Sequence, residues 1–310
     1  MNLAFVFPGQ GSQAVGMLKE LASQFPIVAQ TFAQAAEVLN YDLWQLVQEG
    51  PEQRLNQTEF TQPALLAASV ALWRIWRQQQ GPQPTLLAGH SLGEYTALVC
   101  AEAMAFTDAV SLVAARGRLM QKAVPEGIGA MAAIIGLEDA QVAELCQTAA
   151  QTEIVTPANY NAHGQIVIAG HKEAVERAVE FAKQAGAKLA KLIPVSVPSH
   201  CPLMEGAADE LSQRLSQIKL VSPQIPVVNN VDVAVVTDPE AIKQALVRQL
   251  SKPVQWVKTI EYMAASQVQL LIECGPGKVL AGLNKRIKPD LTTLAINNPG
   301  SLEETLNECA

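Results

Sequence analysis

TLLAGHSLGEYTALV, residues 85–99, decides how the chain is read. The mostly apolar run 85–89 predicts a short buried strand, and the segment from Leu92 onward is helical by composition. Between them Gly89-His90-Ser91-Leu92-Gly93 spells G-x-S-x-G. A serine on a sharp strand-to-helix turn needs small neighbours so that strand and helix can pack closely, and the two glycines supply them. Such a turn pushes the hydroxyl out at the carboxyl end of a sheet. It also sets the first amides of the next helix beside it, where developing negative charge is stabilised. The pattern alone is loose, and a plain turn with a chance serine reads the same until a base is found.

Working outward, LAFVF (3–7) reads as a second buried strand, stopped by Pro8-Gly9. TQPALLAASVALWRIWRQQ (61–79) reads as a helix capped by Thr61 or Gln62, with Pro63 in its first turn and Gly81-Pro82 at its end. Strand and helix alternating in this way predict an α/β sheet, mostly parallel. The middle of the chain differs. Strands at 129–137, 153–157, 165–170 and 188–197 alternate with helices at 138–151 and 171–186. This β-α-β-β-α-β order is the ferredoxin-like arrangement. The expected organisation is a large α/β body formed by 1–124 and 199–310, with a small subdomain at 125–198. PVVNN (226–230), a helix over 239–250 and QLLIECGPG (269–277) return to the body.

Bulk properties narrow the function. The 310 residues carry 49% hydrophobic and 16% charged residues with a net charge of −7. That balance is ordinary for a soluble globular protein and argues against a general nucleic-acid binder, which needs a basic face. MNLAFVFPGQGSQ lacks the basic flank and long apolar run of a signal peptide, and no run approaches a membrane span, so a cytoplasmic protein is expected, or one of the plastid stroma if the chain comes from a plant. Five cysteines, Cys100, Cys146, Cys201, Cys274 and Cys309, are odd in number and scattered, without C-x-x-C. They read as reduced thiols and not as disulfides or a zinc site.

A serine hydroxyl attacks only when a base takes its proton. The chain offers four histidines. His90 adjoins Ser91 on too tight a turn to reach back. His171 opens a helix and reads as a surface cap. His163 lies in the loop NYNAHGQ. His200, in SVPSHCPLM, stands where the subdomain rejoins the body, and clefts form at such crossings. His200 is therefore the favoured base, against a structural role in a polar core. An acid is harder to find. Asp108 and Asp139 are the only aspartates between Ser91 and His200, and both suit the first turn of a helix better. A backbone carbonyl can orient an imidazole instead.

FPGQGSQ (7–13), TQPALLAAS (61–69), GHSLGEY (89–95), Arg116-Gly117-Arg118-Leu119-Met120-Gln121, GAMAAI (129–134), PSH (198–200), KPVQW (252–256) and the GPG of 275–277 resemble the malonyl-CoA:acyl carrier protein transacylases of type II fatty acid synthesis. The likeness runs over essentially the whole chain. It implies an α/β-hydrolase-like body with an inserted ferredoxin-like subdomain. It also implies that Ser91 takes malonyl from coenzyme A as an ester, that His200 serves as base and then acid, and that a carbonyl near Gln249 orients the imidazole. Backbone amides of Gln10 and Leu92 would form the oxyanion hole, and Arg116 would grip the malonyl carboxylate. Met120, Met131 and Val197 are candidates for the acyl pocket, although core packing accounts for them equally, and Asn159 and Asn161 are candidates to reach the cleft. No metal and no redox cofactor is implied. The partners implied are malonyl-CoA and an acidic acyl carrier protein, with no nucleic acid and no membrane, and a monomer is expected. Lys188, Lys191, Lys285, Arg286 and Lys288 are candidates for carrier docking. Three rivals stand beside this reading: a serine thioesterase or esterase on the same body, a trans-acting acyltransferase of polyketide synthesis, and a carrier-binding scaffold with a vestigial site. Cys201 is not expected to act as a second nucleophile.

Overall fold

A computed structural model describes residues 2–125, 127–194 and 197–309. Nine strands are found among them: β1 (Leu3–Phe7), β2 (Leu86–Gly89), β3 (Gly129–Ile135), β4 (Val155–Ala162), β5 (Gln165–His171), β6 (Leu189–Ile193), β7 (Val227–Val228), β8 (Leu270–Cys274) and β9 (Thr292–Ile296). They form two sheets. The larger, β7-β2-β1-β8-β9, is wholly parallel. Strands β1, β2 and β8 are buried at every residue, because helices cover both faces. Leu3, Phe5 and Phe7 pack in one core with the helices Thr58–Gln78 and Phe106–Ala123, while Ala4 and Val6 pack in another with Trp256–Ala265 and Val279–Ile287. This is why these strands read as continuous apolar runs and not as alternating ones.

The smaller sheet, β4-β5-β3-β6, is antiparallel throughout. Its helices Asp139–Ala150 and Lys172–Gln184 share a core with Ile134, Ile166 and Ile168. The alternate residues Met131, Val167 and Ala169 form a separate cluster with Cys201. The sheet is also fastened to the large body through the backbone. Tyr160 donates to the Val254 carbonyl at 3.0 Å, and Val254 donates to Ala158 at 2.9 Å.

Three local expectations need correction. The helix read at 61–79 begins a turn earlier, at Thr58, so Pro63 sits inside it. Proline there removes only the bond its own N–H would give to the Glu59 carbonyl. Strand β4 runs on to Ala162, through residues read as a loop, because two register irregularities keep it paired with β5. Such bulges re-aim side chains, and here both Asn159 and Asn161 face the cleft described below. The last strand of the small sheet ends at Ile193, and residues 195 and 196 of the expected 188–197 strand lie outside the described residues.

Candidate active site

Parallel pairing sets the site. Phe7 is in register with Gly89, so the loops leaving β1 and β2 emerge side by side at the carboxyl edge of the sheet, where open α/β sheets hold their ligands. Crowding there explains the glycines. A Cβ on Gly89 would fall 1.8 Å from the carbonyl carbon of Gly93, and one on Gly93 would fall 2.0 Å from the Phe7 oxygen. Ser91, between them, is left-handed with φ 52°, a conformation unfavourable for a serine unless its surroundings hold it. Asn230 does the holding. Its Oδ1 accepts the Ser91 N–H at 2.7 Å, and its Nδ2 donates to the Gly89 carbonyl at 2.6 Å.

His200 reaches this turn from 109 positions away, and its Nε2 lies 2.7 Å from Ser91 Oγ. Nδ1 lies 2.7 Å from the backbone oxygen of Gln249. A carbonyl only accepts, so Nδ1 carries the proton, Nε2 is left as acceptor, and the serine hydroxyl donates to it. The imidazole is buried, at 3% exposure. Burial first, and then the Arg116 charge, depress its pKa to about 3, against the opposing bond to Gln249. The ring is therefore neutral and ready to accept at physiological pH. No carboxylate among the described residues is bonded to it. Asp108 and Asp139 lie in first turns of helices.

Arg116, on the Phe106–Ala123 helix, is 1% exposed. Nη1 donates to Gln62 Oε1 at 2.8 Å, while Nη2 donates to Gln249 Oε1 at 2.9 Å and to Ser91 Oγ at 3.2 Å. The guanidinium also lies 5.3 Å from the centre of the Tyr95 ring. All these partners are neutral, and no carboxylate pairs directly with Arg116 among the described residues. A buried cation left so is a receptor for an anion. Arg118, two residues on, is exposed.

A cleft of about 550 Å³ opens over these groups. Gln10 and Leu92 line it beside Ser91. Leu92 is the N-cap of the Gly93–Cys100 helix, where amides lack intrahelical acceptors, and the Gln10 side chain is bonded to Thr58. Met120, Met131 and Val197 line the apolar wall, and Asn159 and Asn161 the wall from β4. Neutral acceptors around a guanidinium, a base already aimed at a hydroxyl and main-chain amides nearby can perform acyl transfer through a serine ester on a substrate bearing a second, anionic end.

An acyl transferase domain family matches residues 4–291. The chain belongs to this family. Relatives in the family include the malonyl CoA-acyl carrier protein transacylase of Salmonella typhimurium, 60% identical over 99% of both chains, and that of Escherichia coli K12, 60% identical over 98% of this chain and 99% of the relative. Among solved structures, an acyl carrier protein S-malonyltransferase from Vibrio cholerae superposes with a TM-score of 0.97 at 60% identity, covering 98% of this chain and all of the other. A malonyl-transacylase in complex with its type II polyketide acyl-carrier protein superposes at 0.98 with 56% identity, covering 99% of this chain and all of the other.

Family membership leaves the remaining residues to be placed by geometry. His90 turns away from Ser91, with Nε2 2.8 Å from Asn161 Oδ1. His171 precedes its helix without capping it, and Nδ1 instead accepts the Ile154 N–H at 2.9 Å. His163 lies 3.6 Å from Glu261 at the surface. Cys201 is fully buried, its thiol bonded to the Pro198 carbonyl and its pKa pushed up by burial to about 12, so it is no nucleophile. Four groups of the site escape a reading by motif: Gln62, Glu94, Asn230 and the side chain of Gln249. Two signals for them exist. Gln62 is a polar residue in an otherwise apolar helical run, and Asn230 follows a strand at the carboxyl edge of the sheet.

Proposed function

We propose that the chain moves a malonyl group from coenzyme A to the phosphopantetheine thiol of an acyl carrier protein through a malonyl-serine ester. Its family and its relatives support the reaction class. The observation that carries the acyl group is Arg116, a buried guanidinium without an ionic partner, 3.2 Å from Ser91 Oγ. A malonyl thioester brings the missing carboxylate, and a planar guanidinium grips it with two parallel bonds. An acetyl group would leave the cation unpaired, so the site selects by refusal as well as attraction.

The distances between Ser91, His200 and Gln249 support the following steps. His200 Nε2 takes the hydroxyl proton as Ser91 Oγ attacks the thioester carbon. Amides of Leu92 and Gln10 receive the oxyanion. The tetrahedral intermediate collapses, and the coenzyme A sulfur leaves with the proton from His200. The carrier thiol then gives its proton to His200 and attacks the ester, regenerating Ser91. The sum is a thioester exchange, balanced without a change in oxidation state or a metal. Incubation with malonyl-CoA should give a malonyl adduct on Ser91 by mass spectrometry, and added carrier should discharge it to malonyl-carrier. Release of free malonate as the main product would instead identify a thioesterase.

A further inference from the structure

Glu94 has no part in these steps, yet it is a carboxyl group at 3% exposure beside them. It lies in the first turn of the Gly93–Cys100 helix and points inward. Its Oε2 accepts from Gln249 Nε2 at 2.8 Å and from the Asn230 N–H at 3.1 Å. These are the two residues that hold the site together. Asn230 clamps the strained turn at Ser91. Gln249 donates from Nε2 to the Ser91 carbonyl at 3.0 Å and accepts from Arg116 at Oε1. The two ends of a glutamine amide have nearly the same shape, but a carboxylate only accepts and a guanidinium only donates. With both in place Gln249 has one orientation. Without the carboxylate only the longer bond to the Ser91 carbonyl keeps the N–H groups turned away from Arg116, so the amide is held less firmly and its oxygen is presented to the guanidinium less often.

We propose that Glu94 is a positioning residue for acyl-group selection: its carboxylate orients the Gln249 amide, which holds the Arg116 guanidinium on the acyl pocket. The proposal rests on the malonyl reading above. It is tested by steady-state transfer of malonyl and acetyl from coenzyme A to the carrier, in Glu94→Ala and Glu94→Gln, each with Arg116 intact and with Arg116→Ala. Leaving the amide unfixed should lower malonyl kcat/KM roughly tenfold in Glu94→Ala, mostly through KM, as expected for lost ground-state binding. Acetyl transfer should change less than about twofold. Glu94→Gln should recover most of the loss, since its amide oxygen still accepts from Gln249. In the Arg116→Ala background the Glu94 substitutions should leave the malonyl-to-acetyl ratio unchanged. Equal losses for both substrates, or a further fall in the ratio without Arg116, would overturn the proposal. Should Glu94→Ala not fold, Glu94→Asp, one methylene short of Gln249, should show the same selective loss. The two readings fail separately. A wild type that moves acetyl as well as malonyl defeats the malonyl reading. A wild type whose preference depends on Arg116 but survives at Glu94→Ala or Glu94→Asp defeats only the Glu94 proposal.

Discussion

At the scale of single residues, two buried titratable groups of the site work against each other. His200 titrates near 3 in the folded chain, against an ordinary value of 6.5. Between those values the unfolded chain binds the extra proton, so this group's stability is lost as pH falls through the window. Glu94 is raised by burial from 4.5 to about 7, despite its bonds to Gln249 and Asn230 and the Arg116 charge. Between those values the folded carboxyl holds a proton that the unfolded one has released, so stability is lost as pH rises. From about pH 4.5 to 6.5 the two slopes oppose. Glu94→Gln removes one of them, and its urea midpoint should then fall more steeply on acidification than that of the wild type. Parallel curves would show that one of these protonation states is misassigned. Arg116→Lys keeps the charge but loses the planar fork. We expect malonyl kcat/KM to fall at least tenfold while acetyl transfer holds. An equal fall in both would make Arg116 structural. Ser91 was legible in the sequence because its neighbours had to be glycine, and His200 because only four histidines had to be weighed. Glu94 and the Gln249 side chain were not legible, since a polar side chain turned inward looks in sequence like one turned outward.

At the scale of elements, the strand–turn–helix unit carries the clearest physical constraint. Its glycines are excluded volume, not flexibility: neither Gly89 nor Gly93 has positive φ, and both meet backbone where a Cβ would go. Gly93→Ala must push the helix off the Phe7 carbonyl, and a loss of about 3 kcal/mol or more is expected, with transfer abolished. Thermal unfolding checks it, and a midpoint within a degree of wild type would refute the packing argument. Strands β1, β2 and β8 and the amphipathic helix near 172–184 were legible because a single period, or an unbroken apolar run, governs each. The start of the Thr58–Gln78 helix was not, because Pro63 looks like a first-turn residue and burial of the whole helix overrides that local signal. The edge strand β9, only partly buried, offers no clean pattern at all.

For the whole molecule, the question is how a chain of net charge −7 would receive the acidic carrier that the family resemblance implies. The sum does not decide it, because charge acts locally over about a Debye length, ~8–10 Å in ordinary buffers. Elements at the cleft rim carry the basic residues. Strand β6 ends at Ile193, which lines the cleft, and Lys191 lies on that strand with Lys188 just before it. The helix Val279–Ile287 contributes Val279, Leu280 and Leu283 to the cleft and carries Lys285 and Arg286, with Lys288 at its end. Lys188, Lys191, Lys285 and Lys288 are exposed and Arg286 bonds only to Gln165 Oε1, so their charges are open to a partner. The two halves of the reaction then separate cleanly. Reversing Lys191 and Lys285 to glutamate should lower kcat/KM for the carrier by about tenfold or more at low salt, with the loss shrinking as salt is added. Formation of malonyl-Ser91 from malonyl-CoA, measured by rapid quench without carrier, should fall much less, because the acyl pocket is untouched. If the carrier half-reaction is indifferent to both reversals at every ionic strength, docking runs over another face and the rim lysines are solvated surface.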